Sequence, residues 1–370
     1  MEKNNNIISS FQIATLTFFL TCGIFLGPGI FTIFDLIKRD TWLSVLISII
    51  ILILPIFLLL YIVNYQPEKN IFEKNKILFG KWGGILINFI LTVFAFFIVL
   101  IILWDTCCFA ITVYLTKTPD YFISGMFALA ALYAVTKGIE SISRVSEILF
   151  YLTLIILLFI VPTLALQFNV DYLKPFLKDG LNPVINASFA FTAFFITPFI
   201  LLLVIPKNKV KDKEKYTKYF LIGTILGFIL MFLIFFIIPG VITPEVSSLY
   251  VYPAFFVQRK ISVGGVLNNV ENIFSMHFYF NALIILSLGL YFLKKYFDHQ
   301  FNIRDNKKSI FLLIITIIAI ILIKIQIFPN VYTNINFLKY FFTPYFALPL
   351  LILILIICIM IFIKKRKILK

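Results

Sequence analysis

Along this chain the apolar residues come in long runs separated by short polar stretches, as from Trp42 to Val63 and from Phe311 to Ile323. A helix crossing the hydrocarbon of a bilayer needs roughly 20 mostly apolar residues. The runs predict ten such helices, at about 10–37, 41–64, 82–115, 119–136, 145–166, 183–206, 217–239, 263–293, 309–328 and 338–363. Spans one, three and eight are longer than a crossing requires and leave room for tilt or an interrupted turn. The longest polar stretches, 65–81, 207–218 and 294–308, read as loops. No linker divides soluble domains, so 1–370 reads as a single polytopic membrane domain.

Two spans carry helix breakers. Span one holds Gly23, Gly27, Pro28 and Gly29, and span six holds Thr192 and then Thr197-Pro198. Proline removes a backbone donor and glycine permits unwound geometry. Inside a membrane the freed groups must be satisfied by protein, water or a ligand. Spans one and six open two five-helix halves, about 10–166 and 183–363. Interrupted helices at matching positions of two halves mark a midplane binding site. The Gly23/Gly27 spacing is equally that of close helix packing, and both readings stand. For Gly80/Gly84 and Gly223/Gly227, packing or a turn at Gly80 is the expected role.

Composition removes the soluble alternative. Hydrophobic residues are 61% and charged residues 13% of the chain, and mean hydropathy is +1.04. A soluble domain is about a quarter charged. The net charge of +15 does not point to nucleic acid, because the basic residues lie in the gaps between runs and form no single face. Their distribution orients the chain instead. With both termini cytoplasmic, 23 lysines and arginines fall inside and 9 outside, as the positive-inside rule requires. Lys364-Lys365-Arg366-Lys367 is the clearest inside anchor. The four cysteines, Cys22, Cys107, Cys108 and Cys358, lie within apolar runs without metal-ligand spacing and are expected as free thiols. Phe19-Leu20-Thr21-Cys22 lacks the small residue of a lipoprotein cleavage site, so this stretch reads as the first span.

Ionisable residues at membrane depth are rare and define candidate sites. Asp105 in span three stands beside Thr106 and Cys107, and Glu271 and His277 lie in span eight. Facing the bundle, Asp105 would meet a ligand's ammonium group. Facing the headgroups, it would be structural. Arg144 and Glu147 at the inner mouth of span five are spaced for a local ion pair, either an inner gate or a helix-start pair, and Lys137 and Glu140 share that ambiguity. His299 is expected in a solvated loop. No phosphate-binding glycine loop, His-Glu-x-x-His helix or convincing nucleophile arrangement appears. With two histidines, the chain reads as a non-enzyme needing no cofactor or metal.

Specific strings carry a resemblance. They begin with Ile8-Ser9, Gln12 and Gly23, then Asp40-Thr41-Trp42-Leu43-Ser44, Phe79-Gly80-Lys81-Trp82-Gly83 and Thr118-Pro119. The strongest is Lys137-Gly138-Ile139-Glu140-Ser141-Ile142-Ser143-Arg144 with Glu147. Asp171-Tyr172-Leu173-Lys174-Pro175-Phe176 with Asp179-Gly180, Tyr252-Pro253, and Arg259-Lys260-Ile261-Ser262-Val263-Gly264 follow in order. In number, order and spacing these resemble the endospore-germination permease family of the amino acid–polyamine–organocation superfamily, up to about span eight. The resemblance implies an all-α LeuT-type fold of two inverted five-helix repeats. It implies a B subunit of a nutrient germinant receptor, in the inner membrane of the spore, working beside an A subunit and a lipoprotein C subunit. It also implies sensing of small nutrients, commonly amino acids. Two positions depart from the family: Phe195 stands where members often carry an acid, and Asn269, two residues before Glu271, where many carry arginine.

The expected function is nutrient sensing at a site between spans one, three, six and eight. Expected ligand contacts are Thr21, Gly23, Ile24, Phe25, Gly27, Phe191 and Thr192, with Asp105 and Glu271. Pro28, Pro198, Arg144 and Glu147 are the expected gating or structural positions. The alternatives are a secondary transporter of a small solute and an ion or water conduit lined by Glu271 and His277.

Overall fold

A backbone in lipid must satisfy its own polar groups, which leaves helices as the available structure for apolar runs of this length. The computed structural model describes residues 7–23, 27–259 and 271–368. Among them the chain is almost wholly helical. Helices α1 (Ser10–Cys22), α2 (Pro28–Ile37), α3 (Thr41–Asn64), α4 (Ile71–Val113), α5 (Asp120–Lys137), α6 (Ile139–Ala165) and α7 (Leu181–Ile196) form the first part. They are followed by α8 (Tyr216–Ile242), the short α9 (Pro244–Ser247) and α10 (Pro253–Gln258), α11 (Glu271–Gln300), α12 (Asn306–Ile327), α13 (Val331–Asn336) and α14 (Leu348–Ile368). A 3-10 stretch, Thr197–Val204, continues α7, and a π-helical stretch, Phe337–Ala347, leads into α14. Eight helical stretches of the described residues are long and apolar enough to cross a membrane. One of them, Pro28–Asn64, runs through a turn at Lys38, where φ is 51° and α2 ends. Following the chain, α1 with α2 corresponds to the expected span one, and the 18-residue α5 to the expected span four.

The interrupted helices lie at the centre. In α1 every residue except Phe11 is buried, and 94% of the apolar window in Leu181–Val204 is buried. The corresponding window of Asn306–Ile327 is only 22% buried, its apolar side chains facing outward. Hydropathy does not decide this placement, because lipid is as apolar as the bundle interior. Close contact is possible because small residues sit at the crossings. A Cβ on Gly223 of α8 would stand 1.9 Å from the Ala14 carbonyl oxygen of α1, and one on Gly227 would stand 2.5 Å from Thr21 Cβ.

The stretch 65–81, expected as loop, is largely helical. Asn70 and Glu73 form a reciprocal capping box that starts α4 at Ile71. Gly80, at φ 76°, kinks this helix before its membrane-crossing part. A Cβ on Gly84 would lie 2.7 Å from Lys76 Cα, so the two arms of the kink approach backbone to backbone there. His299 is likewise no solvated loop residue: it ends α11, half-buried, its ring stacked 6.1 Å from that of Phe72.

Candidate ligand-binding site

The break in span one sets the site. α1 ends at Cys22 with Gly23 as its C-cap, and α2 begins at Pro28 with Gly27 as its N-cap and no side chain capping it. Helix ends leave unpaired N–H and C=O groups, and here those ends face α4 and α11. Ile24 and Phe25 lie outside the described residues. Gly23 and Gly27, Ile102, Asp105 and Thr106 of α4, and Phe278, Asn281 and Ala282 of α11 enclose one cavity. Its volume, ≈ 10 Å³ for the centre of a water-sized sphere, is room for about one water.

Asp105 dominates this cavity. The residue is 3% exposed, and among the described residues neither carboxylate oxygen has a hydrogen-bond partner. A Cβ placed on Gly27 would lie 3.0 Å from Asp105 Cβ and 3.2 Å from Asp105 Oδ2. Glycine at 27 therefore lets the carboxylate stand against the start of α2, whose positive dipole end favours an anion. That favour is worth at most about 2 kcal/mol, and the desolvation of an ion at this depth costs several. A cation or hydrogen-bond donor entering the cavity would recover part of the difference. Opposite, Asn281 donates its side-chain amide to the Phe19 carbonyl at 2.9 Å and so anchors the last turn of α1 to α11. Asn281 and Phe278 were not among the expected contacts. The available signal was an amide in an apolar run, since only ionisable groups were weighed there.

The other expected residues distribute differently. Pro198 stands at the break of span six, 3.4 Å from where a Gly23 Cβ would be, so the two interruptions meet. Pro28 supplies the first residue of α2. Thr21 lies on the α8 side, packed at Gly227, with its hydroxyl donating to the Thr17 carbonyl. Phe191 points to Phe235 of α8, ring centroids 4.7 Å apart, and Thr192 donates to the Ser188 carbonyl. Phe195 fills the acid position with a ring against Phe228 at 4.4 Å. None of these four lines the Asp105 cavity. Glu271 is also apart from it. It begins α11, seven residues or about 10 Å along the axis from Phe278, with Arg259 Nε 3.9 Å from its carboxylate. Asn269 lies outside the described residues. His277 is buried and shares a hydrogen bond with Thr153 of α6 at 3.1 Å, so it does not join Glu271 in one lining.

The expected Arg144–Glu147 pair is not formed. Arg144 pairs with Glu140 at 2.6 Å, one helical turn back. Glu147 accepts from Gln12 Nε2 of α1 at 2.9 Å. Ser146 and Thr15 hydroxyls are 2.7 Å apart beside it, making a polar seam between α1 and α6. Helix azimuth decides this: 147 faces α1, while 144 is directed outward and is 69% exposed at its side chain.

Comparison with known proteins agrees with this architecture. A profile of the spore germination protein (spore permease) family matches residues 8–330. Spore germination protein XB of Bacillus anthracis is 22% identical over 333 residues, 89% of this chain and 90% of its own. Spore germination protein KB of Bacillus subtilis is 22% identical over 79% of this chain and 77% of its own. Among solved structures, MhsT in complex with L-phenylalanine superposes with a TM-score of 0.63 at 14% identity, over 95% of this chain and 87% of MhsT. The nucleobase-cation-symport-1 transporter Mhp1, closed with bromovinylhydantoin bound, gives 0.58 at 14% identity, over 91% and 77%. Eight helical stretches fit to cross a membrane among the described residues, central interrupted helices and a family match over most of the length lead to one assignment: the chain belongs to the spore germination protein family and is an integral membrane protein of the LeuT-type transporter fold.

Proposed function

We propose that this protein is the nutrient-sensing B subunit of a spore germinant receptor, and that a small ligand carrying an ammonium group binds at Asp105. The observation that carries this reading is the buried carboxylate, without a hydrogen-bond partner among the described residues, standing against Gly27 at the break of span one. Cations pair with such a group, and an amino acid's own carboxylate has the positive dipole end of α2 nearby. The ligand is larger than the present cavity, so binding requires α1 and α2 to move against α4 and α11. A ligand that fits only the opened form shifts the population toward it. The Gln12–Glu147 seam is then an inner closure, and an A subunit and a lipoprotein C subunit read the shift. The protein lies in the spore inner membrane with both termini cytoplasmic, its repeats spanning about 10–166 and 183–363.

Transport is the second reading, favoured by the fold shared with MhsT and Mhp1. Radiolabelled amino acids offered to the purified protein in liposomes separate the two. Saturable binding without accumulation supports the sensor. Accumulation driven by a proton or sodium gradient overturns it in favour of transport.

A further inference from the structure

Away from the Asp105 cavity, the kink of α4 and the end of α11 enclose a second, more polar space of ≈ 120 Å³. Its polar lining is Lys76 and Lys81 from the two arms of the kink, Asn88, and His299, Gln300 and Asn302 from the end of α11 and the turn after it. The enclosure is built. Asn75 donates to Asn88 Oδ1 at 2.8 Å, Asn88 donates to the Phe72 carbonyl at 3.1 Å, and Gly84 admits the Lys76 backbone. These bonds hold the arms together and leave both lysines exposed. Among the described residues neither lysine is in an ion pair. No carboxylate lines the space. The nearby acid, Glu73, is engaged with the Asn70 backbone N–H.

The next space along the chain is of the opposite kind. Phe301, Ile303, Phe311 and Leu312 line an open apolar groove of ≈ 520 Å³, flanked by Lys307 and Lys308. The turn after α11 alternates between them: Gln300 and Asn302 face the polar space, Phe301 and Ile303 the groove. Trp82, 79% exposed beside Lys81, marks the membrane boundary at this level, and exposed Leu86 and Phe89 continue from it into the lipid-facing surface.

We propose that these two spaces form one binding site for an anionic phospholipid, with the headgroup phosphate between Lys76 and Lys81 and an acyl chain along Phe301 and Phe311. The C-terminal carbonyls of α11 repel an anion, so the lysines carry the attraction. A free phosphate ion would use the polar space and leave the groove unoccupied.

The test is native mass spectrometry of the full-length protein in neutral detergent, titrated with phosphatidylglycerol, phosphatidylcholine or inorganic phosphate. A lysine near an anionic headgroup is worth about fivefold in binding. The double variant Lys76→Gln/Lys81→Gln should therefore bind phosphatidylglycerol about 25-fold more weakly. Phosphatidylcholine binding should stay unchanged in that variant. Lys213→Gln/Lys215→Gln, which removes the same charge from an exposed loop, should change phosphatidylglycerol binding less than twofold. Equal losses in the two double variants would reduce the effect to general surface charge and overturn the site. Inorganic phosphate binding as tightly as the lipid would overturn the phospholipid assignment.

Discussion

Replacing Asp105 by alanine should weaken ligand binding and change the stability of the ligand-free fold little. An unpartnered polar group buried in a protein costs about 1–3 kcal/mol, and among the described residues both oxygens of Asp105 lack a partner. Against this relief stand the lost attraction to the start of α2, about 0.3–1 kcal/mol, and the enlarged cavity, about 1 kcal/mol. The net change is roughly −1 to +2 kcal/mol in favour of the variant, a small effect of either sign. Binding should move the other way. Truncating one partner of a buried charge pair costs about 2–5 kcal/mol, roughly 30- to 5,000-fold. Asp105→Asn keeps the shape and should lose binding comparably. The assay pairs thermal melts without ligand against equilibrium binding, in liposomes, of the amino acid that the wild-type protein recognises. Destabilisation of the alanine variant by more than about 2 kcal/mol would make Asp105 a structural residue. Binding within threefold of wild type would remove it from the site.

Three further predictions test the frame around that cavity. Gly223→Ala should destabilise the bundle by about 3 kcal/mol or more, because its Cβ meets backbone oxygen at 1.9 Å. Wild-type melting behaviour in that variant would refute the α1–α8 crossing. Lys74, on the loop side of the Gly80 kink, donates to the Ile62 and Val63 carbonyls, and burial brings its ammonium down from 10.5 to about 8 against the pull of Glu68 and Glu73. The unfolded chain keeps this proton to about pH 10.5. Wild-type stability should therefore rise relative to Lys74→Met between about pH 8 and 10.5; a constant difference in melting temperature across that range would contradict the burial argument. Glu147→Ala should release α1 from α6, and hydrogen exchange at the start of α1 should quicken about tenfold, the equivalent of one hydrogen bond to a charged group. Unchanged exchange there would show that the seam does not hold α1.

The membrane class, the long apolar helices, the helix breakers of spans one and six and the family resemblance were all legible in the residues. Transfer into lipid is close to additive along a run, and glycine and proline act on their own backbone, so such properties need no knowledge of neighbours. The residues at 71–79 were missed because a polar amphipathic turn falls below any apolar threshold, although the capping box at Asn70 and Glu73 was in view. Partnership was decided only by the tertiary structure. Arg144 takes Glu140 and Glu147 takes Gln12, a residue 135 positions away. Asp105 faces Gly27, while Thr21, Phe191 and Thr192 turn from that cavity and Glu271 stands at the start of its helix. In spans apolar on nearly every side, periodicity does not say which face meets which neighbour. The azimuth of each helix comes from packing contacts such as Gly223 on Ala14, and those exist only once the bundle has formed.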